Sequence, residues 1–138
     1  MNDSATLASR AQPLGKYPHF KTMGDSIYLS GISARLPDGS IAGTTRHADG
    51  SVTRDIEIQT RVVIENVRAT LAEAGATLAD CIDILVFLTD MKDFPKYNAV
   101  YGEYFDAGGP TRTTVAVSEL PRPDMIVEMK VVACRPRP

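Results

Sequence analysis

The run Cys81-Ile-Asp-Ile-Leu-Val-Phe-Leu-Thr89 constrains this chain more than any other segment. It is nearly continuous in β-branched and aromatic residues, the pattern of a central strand covered on both faces. A strand of that kind needs layers above and below it, so the remainder of the chain has to be arranged around a sheet. Just upstream, Ile56, Val63, Val67, Leu71 and Ala74 recur at steps of 7, 4, 4 and 3, with Gly75 placed to terminate. This spacing predicts an amphipathic helix from Asp55 to Ala74.

Beyond the central strand, Asp93 reads as an N-cap with Pro95 in the first turn, and Phe94, Tyr97, Val100, Tyr101, Tyr104 and Phe105 repeat at helical spacing. A second helix is expected there, ending at Gly108-Gly109-Pro110. Thr111 to Val117 and Ile126 to Cys134 read as two strands joined by the proline-marked loop Leu120-Pro-Arg-Pro-Asp124. Near the start, Ile27 to Leu36 reads as a strand entering the turn Pro37-Asp-Gly39, and residues 41–54, with a second Asp-Gly at 49 and 50, as a hairpin or long loop. Residues 1–14 lack periodicity and are expected to form a loosely ordered arm, leaving residues 15–138 as the domain. Strands, helix, strand, helix and strands in that order describe an α+β fold: a mixed sheet with two helices on one face. The other face must be covered as well, and a closed homo-oligomer would cover it.

With 138 residues, 43% of them apolar, the chain suits one core and not two. No apolar stretch reaches the roughly 18 to 20 residues of a membrane span, and the N-terminus lacks the basic-then-apolar order of a signal peptide, so a cytoplasmic location is expected. A net charge of −2 without a Lys/Arg cluster makes nucleic acid a poor partner. His19 and His47, the only histidines, lie far apart with no cysteine at ligand spacing, which argues against a metal site. Cys81 and Cys134 fall in apolar runs, where free Cys behaves as a small hydrophobe. Glycine-rich phosphate cradles and the GxSxG elbow are missing.

Several segments, in fixed order, resemble the RidA/YjgF family: Gly15-Lys-Tyr-Pro-His19, Ser30-Gly31, Glu57 to Asn66, Phe87-Leu-Thr-Asp-Met91, and above all Pro110-Thr-Arg-Thr-Thr-Val-Ala-Val117 followed by Leu120-Pro121 and Ile126-Val-Glu-Met129. The resemblance spans about residues 15 to 134. It implies a chorismate-mutase-like fold assembled as a homotrimer, or a dimer of trimers, with sites in the clefts between subunits and no cofactor. It further implies that Arg112 pairs with a substrate carboxylate, that Glu128 positions water and handles protons, and that Tyr17, the Ser30-Gly31 backbone, Phe94 and Asn98 line the cleft. The segments Gly15-x-Tyr-Pro-His19, Ser30-Gly-x-Ser33-x-Arg35, the polar stretch around Asp49-Gly50 and Tyr101-Gly-Glu-Tyr-Phe-Asp106 are similar to the 2-aminomuconate deaminase branch. That branch hydrolyses 2-aminomuconate to 4-oxalocrotonate (2-oxohex-3-enedioate) and ammonia in bacterial breakdown of 2-aminophenol, nitrobenzoate or tryptophan-derived aromatics. The chain also departs from the common pattern at Lys16-Tyr-Pro-His19, at Ile32 and at Thr114, where a cysteine is frequent. The same resemblance permits two alternatives: a general 2-aminoacrylate or 2-iminobutanoate deaminase, and a non-catalytic ligand-binding module.

Read without the family, each of these residues has a plainer role. Arg112, in a strand of small and β-branched residues, needs an anion or a wet cleft, and a buried ion pair with Glu128 would satisfy it as well as a substrate would. Glu128 shares its strand face with Lys130 by period-2 alternation, consistent with a solvent-facing charge pair. Tyr17 could be a half-buried core aromatic and Asn98 an exposed helix residue. A dicarboxylate presents two anions, and Arg35 and His19 are the candidates for a second cation, with ordinary surface charges as the alternative.

Overall fold

The computed structural model describes residues 3–135. Among the described residues nine strands and two α-helices follow one another as β1 (Asp3–Ala5), β2 (Phe20–Met23), β3 (Ser26–Leu29), β4 (Ile32–Ser33), β5 (Thr44–Arg46), β6 (Val52–Arg54), α1 (Ile56–Glu73), β7 (Cys81–Leu88), α2 (Phe94–Tyr104), β8 (Thr111–Ala116) and β9 (Val127–Cys134). The main sheet runs β1-β2-β3-β9-β7-β8, with β4 also on β9, and β5-β6 is a separate hairpin. Only β7 and β8 pair in parallel, because α2 connects them as a crossover; the other pairs are antiparallel. The mixed α+β sheet expected from the sequence is therefore the observed one.

Helix α1 begins where Asp55 caps it, its carboxylate accepting the Ile58 N–H at 3.0 Å. Its apolar stripe, Ile56, Val63, Ile64, Val67 and Leu71, is buried against Ile84, Val86, Val127, Met129 and Val131 of the sheet. Ile64 belongs to that stripe although the heptad-like steps passed over it. In α2, Asp93 takes the N-cap position without a side-chain hydrogen bond, and Asp90 acts one turn earlier, accepting the Lys92 N–H at 2.9 Å. The helix stops at Tyr104, short of the glycines at 108 and 109, where Phe105 already has extended backbone angles. Tyr97 is fully buried and its hydroxyl meets the Thr114 hydroxyl at 2.9 Å, locking α2 onto β8.

Three expectations need correction. The central strand β7 is buried on one face only: Ile84, Val86 and Leu88 lie under the helices, whereas Leu85 and Phe87 are half-buried and Ile82 is 55% exposed. Its opposite face continues through Tyr28, Val115 and Met23, an apolar surface that one protomer leaves open. Ile27 to Leu36 is not one strand but two, because the chain breaks at Ser30-Gly31 between β3 and β4. Finally, the arm at residues 3–14 is not loosely ordered. Its β1 extends the sheet on β2, and His19 fastens the stretch after β1, accepting the Leu7 N–H at Nδ1 (2.8 Å) and donating from Nε2 to Ala11 O (2.8 Å). These ties run through main-chain atoms, which is why side-chain periodicity gave no sign of them.

The hairpin β5-β6 turns at Gly50, whose φ of 88° suits glycine. It is fastened to the Leu120–Asp124 loop by Arg46 and Arg54, which bracket the Asp124 carboxylate at 2.6 and 3.0 Å. Beneath it Gln59, fully buried on α1, donates to Asp124 O at 2.7 Å and accepts from Ile126 N at 3.1 Å. Among the described residues no helix is long and apolar enough to cross a membrane. Both cysteines are free, and burial pushes the Cys81 thiol up to about 11, consistent with a packing role.

Candidate active site

Parallel register sets Arg112 beside Ile84, so its side chain leaves β8 on the face that carries the helices. There α2 receives it. Asn98 Oδ1 accepts from Arg112 Nη1 at 2.8 Å, and the guanidinium carbon stands 5.8, 5.4 and 4.6 Å from the ring centres of Phe94, Tyr97 and Tyr101. Stacking on aromatic faces holds the plane of the group and leaves its remaining donors unspent. Among the described residues Arg112 makes no ion pair, so the pairing with Glu128 that the sequence left open does not occur.

Glu128 is elsewhere. It lies opposite Phe87 in the antiparallel β7-β9 ladder and opposite Ser33 in β4-β9, on the face of the sheet that the helices do not cover. Its carboxyl group packs on the backbone of Gly31, so closely that a Cβ at that position would run into Oε2 and come within 3.0 Å of Cδ. Burial raises its pKa above the usual carboxylate value of 4.5. Lys130, two residues along, does not pair with it: its ammonium donates to Leu29 O and lies 6.0 Å from the Tyr28 ring centre.

A cavity of about 70 Å³ opens beside Gly31, beneath the N-terminal arm. Tyr17, His19, Ser30, Ser33 and Arg35 line it, which brings most of the sequence-selected residues to one place. Tyr17 is 46% exposed, its hydroxyl accepting the Leu14 N–H at 3.3 Å, so it is a wall of the cleft and not a core aromatic. The Ser30 hydroxyl donates to Pro18 O at 2.7 Å and fixes the break between β3 and β4. His19 is unsuited to reading an anion, because both ring nitrogens are committed to the main chain of the arm. Arg35 donates from Nη2 to Gln12 O at 2.8 Å, while its Nε is shielded from solvent and unpartnered.

Two groups therefore emerge from one protomer: Arg112 with Phe94 and Asn98 under α2, and Glu128 packed on Gly31 on the far side of the sheet, with the cavity beside Gly31 bounded also by Asn66 and Thr70 of α1. Sequence reasoning passed over two further cavity residues. Arg10 donates to Asn66 Oδ1 at 3.2 Å, and Asn66 Nδ2 donates to Ser33 O and Arg35 O at 3.0 and 2.9 Å. Arg10 sits in the arm dismissed for want of periodicity. Asn66 was visible only as a polar residue on the buried side of an amphipathic helix.

Residues 7–135 match the family model described as Endoribonuclease L-PSP. A RutC family protein of Pyrococcus abyssi is 39% identical over 122 residues, 88% of each chain. TdcF of Escherichia coli K12, named as a reactive intermediate deaminase, is 33% identical over 125 residues, again 88% of each chain. The crystal structure of E. coli TdcF with bound serine superposes with a TM-score of 0.81 at 30% identity, covering 97% of this chain and 99% of that one.

Proposed function

The chain belongs to the Endoribonuclease L-PSP family, the RidA/YjgF family of the sequence resemblance, and on that premise we propose that it is a cofactor-independent deaminase of 2-enamine and 2-imine acids. The observation that carries this reading is the state of Arg112: a guanidinium propped by Asn98 and three aromatic rings, with no carboxylate among the described residues paired to it. An α-carboxylate supplies the missing anion and can take the planar fork in two parallel hydrogen bonds. Serine bound to TdcF is a small molecule that bears such a group.

Because Arg112 and Glu128 leave opposite faces of the sheet, one protomer cannot bring both to one substrate. A homotrimer that buries the apolar face of Tyr28, Val115 and Met23 and sets Arg112 of one subunit beside Glu128 of the next supplies the complete site. In it Arg112 and Asn98 hold the carboxylate, with Tyr17 and the Ser30-Gly31 backbone as walls. Water adds to the imine carbon C2 as Glu128 takes one of its protons. That proton passes to nitrogen to give a carbinolamine; the new C2 hydroxyl then gives its own proton to nitrogen, by way of Glu128, as the C2–N bond breaks, and the products are a 2-oxo acid and ammonia. Glu128, held above its usual pKa by burial, exchanges that proton near neutral pH more readily than an exposed carboxylate would.

The finer reading is 2-aminomuconate as substrate and 4-oxalocrotonate as product. Its support is the branch-like placement of Ser33 and Arg35, both of which line the cavity beside Gly31. The test is to supply 2-aminomuconate and 2-iminopropanoate, each generated enzymatically, and follow ammonia and 2-oxo acid. Release above the uncatalysed rate on either is expected, with higher kcat/KM on 2-aminomuconate. No acceleration on either overturns the deaminase, and a preference for 2-iminopropanoate replaces the finer reading with the general one.

A further inference from the structure

The geometry points to a second anion subsite in the cavity beneath the N-terminal arm, where Arg10 and Arg35 together take the distal carboxylate of a dicarboxylic substrate. It rests on the proposed deaminase reading and assigns the residues that hold the second carboxylate of its finer substrate. Both arginines line the same cavity, and no Asp or Glu shares its lining. Their hydrogen bonds go to neutral atoms: Arg10 to Asn66 Oδ1 and Ser9 O, both at 3.2 Å, and Arg35 to Gln12 O at 2.8 Å. Among the described residues neither makes an ion pair, and Arg35 Nε is shielded with no partner at all.

Two cations on the wall of one cleft, with no carboxylate in its lining, raise the local potential there, and a bound anion is favoured by it. The arrangement is also built and not incidental. Asn66, on α1, carries the Arg10 side chain on its oxygen and the Arg35 main chain on its nitrogen, so a single amide sets the spacing of the two. The cavity runs from these residues to Gly31, whose backbone supports the Glu128 carboxyl group. A substrate held at C1 by Arg112 of a neighbouring subunit, with C2 at Glu128, would extend its tail into this cavity. An acid with a second carboxylate several carbons from C2 fits that path, and a three-carbon acid does not reach it.

Calorimetric titration with adipate and with hexanoate, which share a chain length and differ in the second carboxylate, tests this without any turnover. The intact protein should bind adipate at least tenfold more tightly than hexanoate. Arg10→Met and Arg35→Met should each cut that preference at least fivefold, and Arg10→Lys and Arg35→Lys should restore part of it. Equal affinity for the two acids in the intact protein overturns the subsite, as does a parallel loss of both acids in the Met variants. An adipate preference in a protein that deaminates neither enamine acid would refute the proposed activity and leave the subsite standing. Deamination of 2-aminomuconate without an adipate preference would do the reverse.

Discussion

Arg112 on β8 and Glu128 on β9 belong to one sheet, one strand apart across β7, and project from its opposite faces: Arg112 is registered with buried Ile84, Glu128 with Phe87 on the open side. A chain that needs both groups on one substrate must borrow one of them. Arg112→Ala and Glu128→Gln should therefore each be nearly inactive alone yet recover activity when unfolded together and refolded as a mixture. Random assembly places an intact Arg112 opposite an intact Glu128 in about one interface of four, so about a quarter of the wild-type rate is expected. Ammonia release from the mixture measures it; a mixture as inactive as its components would place both groups within one subunit's site.

Glu128→Gln should lower kcat by about 10² to 10⁴ and abolish the acid limb of the pH–rate profile, which in the intact protein should lie above the ordinary carboxylate range. Stability should move the other way. Folding raises the Glu128 pKa above its unfolded value, so this group favours the folded state below about pH 4.5 and loses that contribution as the pH rises through the folded value. Glutamine does not titrate. Urea midpoints of variant and parent should coincide near pH 4 and separate towards neutrality, with the variant the more stable.

Gly31→Ala isolates position from chemistry. The backbone there is not in the left-handed region, so alanine is tolerated locally, but its Cβ would displace the Glu128 carboxyl group. A shift of about 1 Å at a reacting group can lower turnover on the order of 100-fold. Steady-state kinetics should show kcat falling at least tenfold with a thermal midpoint close to that of the parent; unchanged kcat would mean that Glu128 works from another position.

Gln59→Leu tests the clamp beneath the β5-β6 hairpin. Leucine fills the same space but leaves Asp124 O and Ile126 N without their partner at a buried site. Two unpaired main-chain groups together cost about 3 kcal/mol, which urea unfolding at fixed protein concentration would register directly.

Much of this architecture was legible in the residues. Helix α1 and strand β9 announce themselves because each buries one face, and one-sided burial leaves a period in the sequence. The run at Cys81–Thr89 misled for the same reason: it is apolar on both sides, and sequence cannot tell a face covered by its own chain from one left for another copy. Arg112 and Glu128 could be selected individually, but their separation depends on the register across β7, which no local pattern encodes. The arm was missed because it is held by the His19 ring and by main-chain pairing, neither of which leaves a period. Asn66 and Gln59 obey a simpler rule: a large polar amide on the inner side of an amphipathic helix has partners waiting for it.

Strand β1 hangs on the sheet edge by its main chain, and that attachment places few demands on which side chains the terminus carries. Position 10 lies beyond that strand and is held by the Ser9 carbonyl and the Asn66 amide, apart from the strands that carry Arg112 and Glu128. One wall of the cleft is therefore supplied by a segment separate from the reacting centre, so the two can be altered independently.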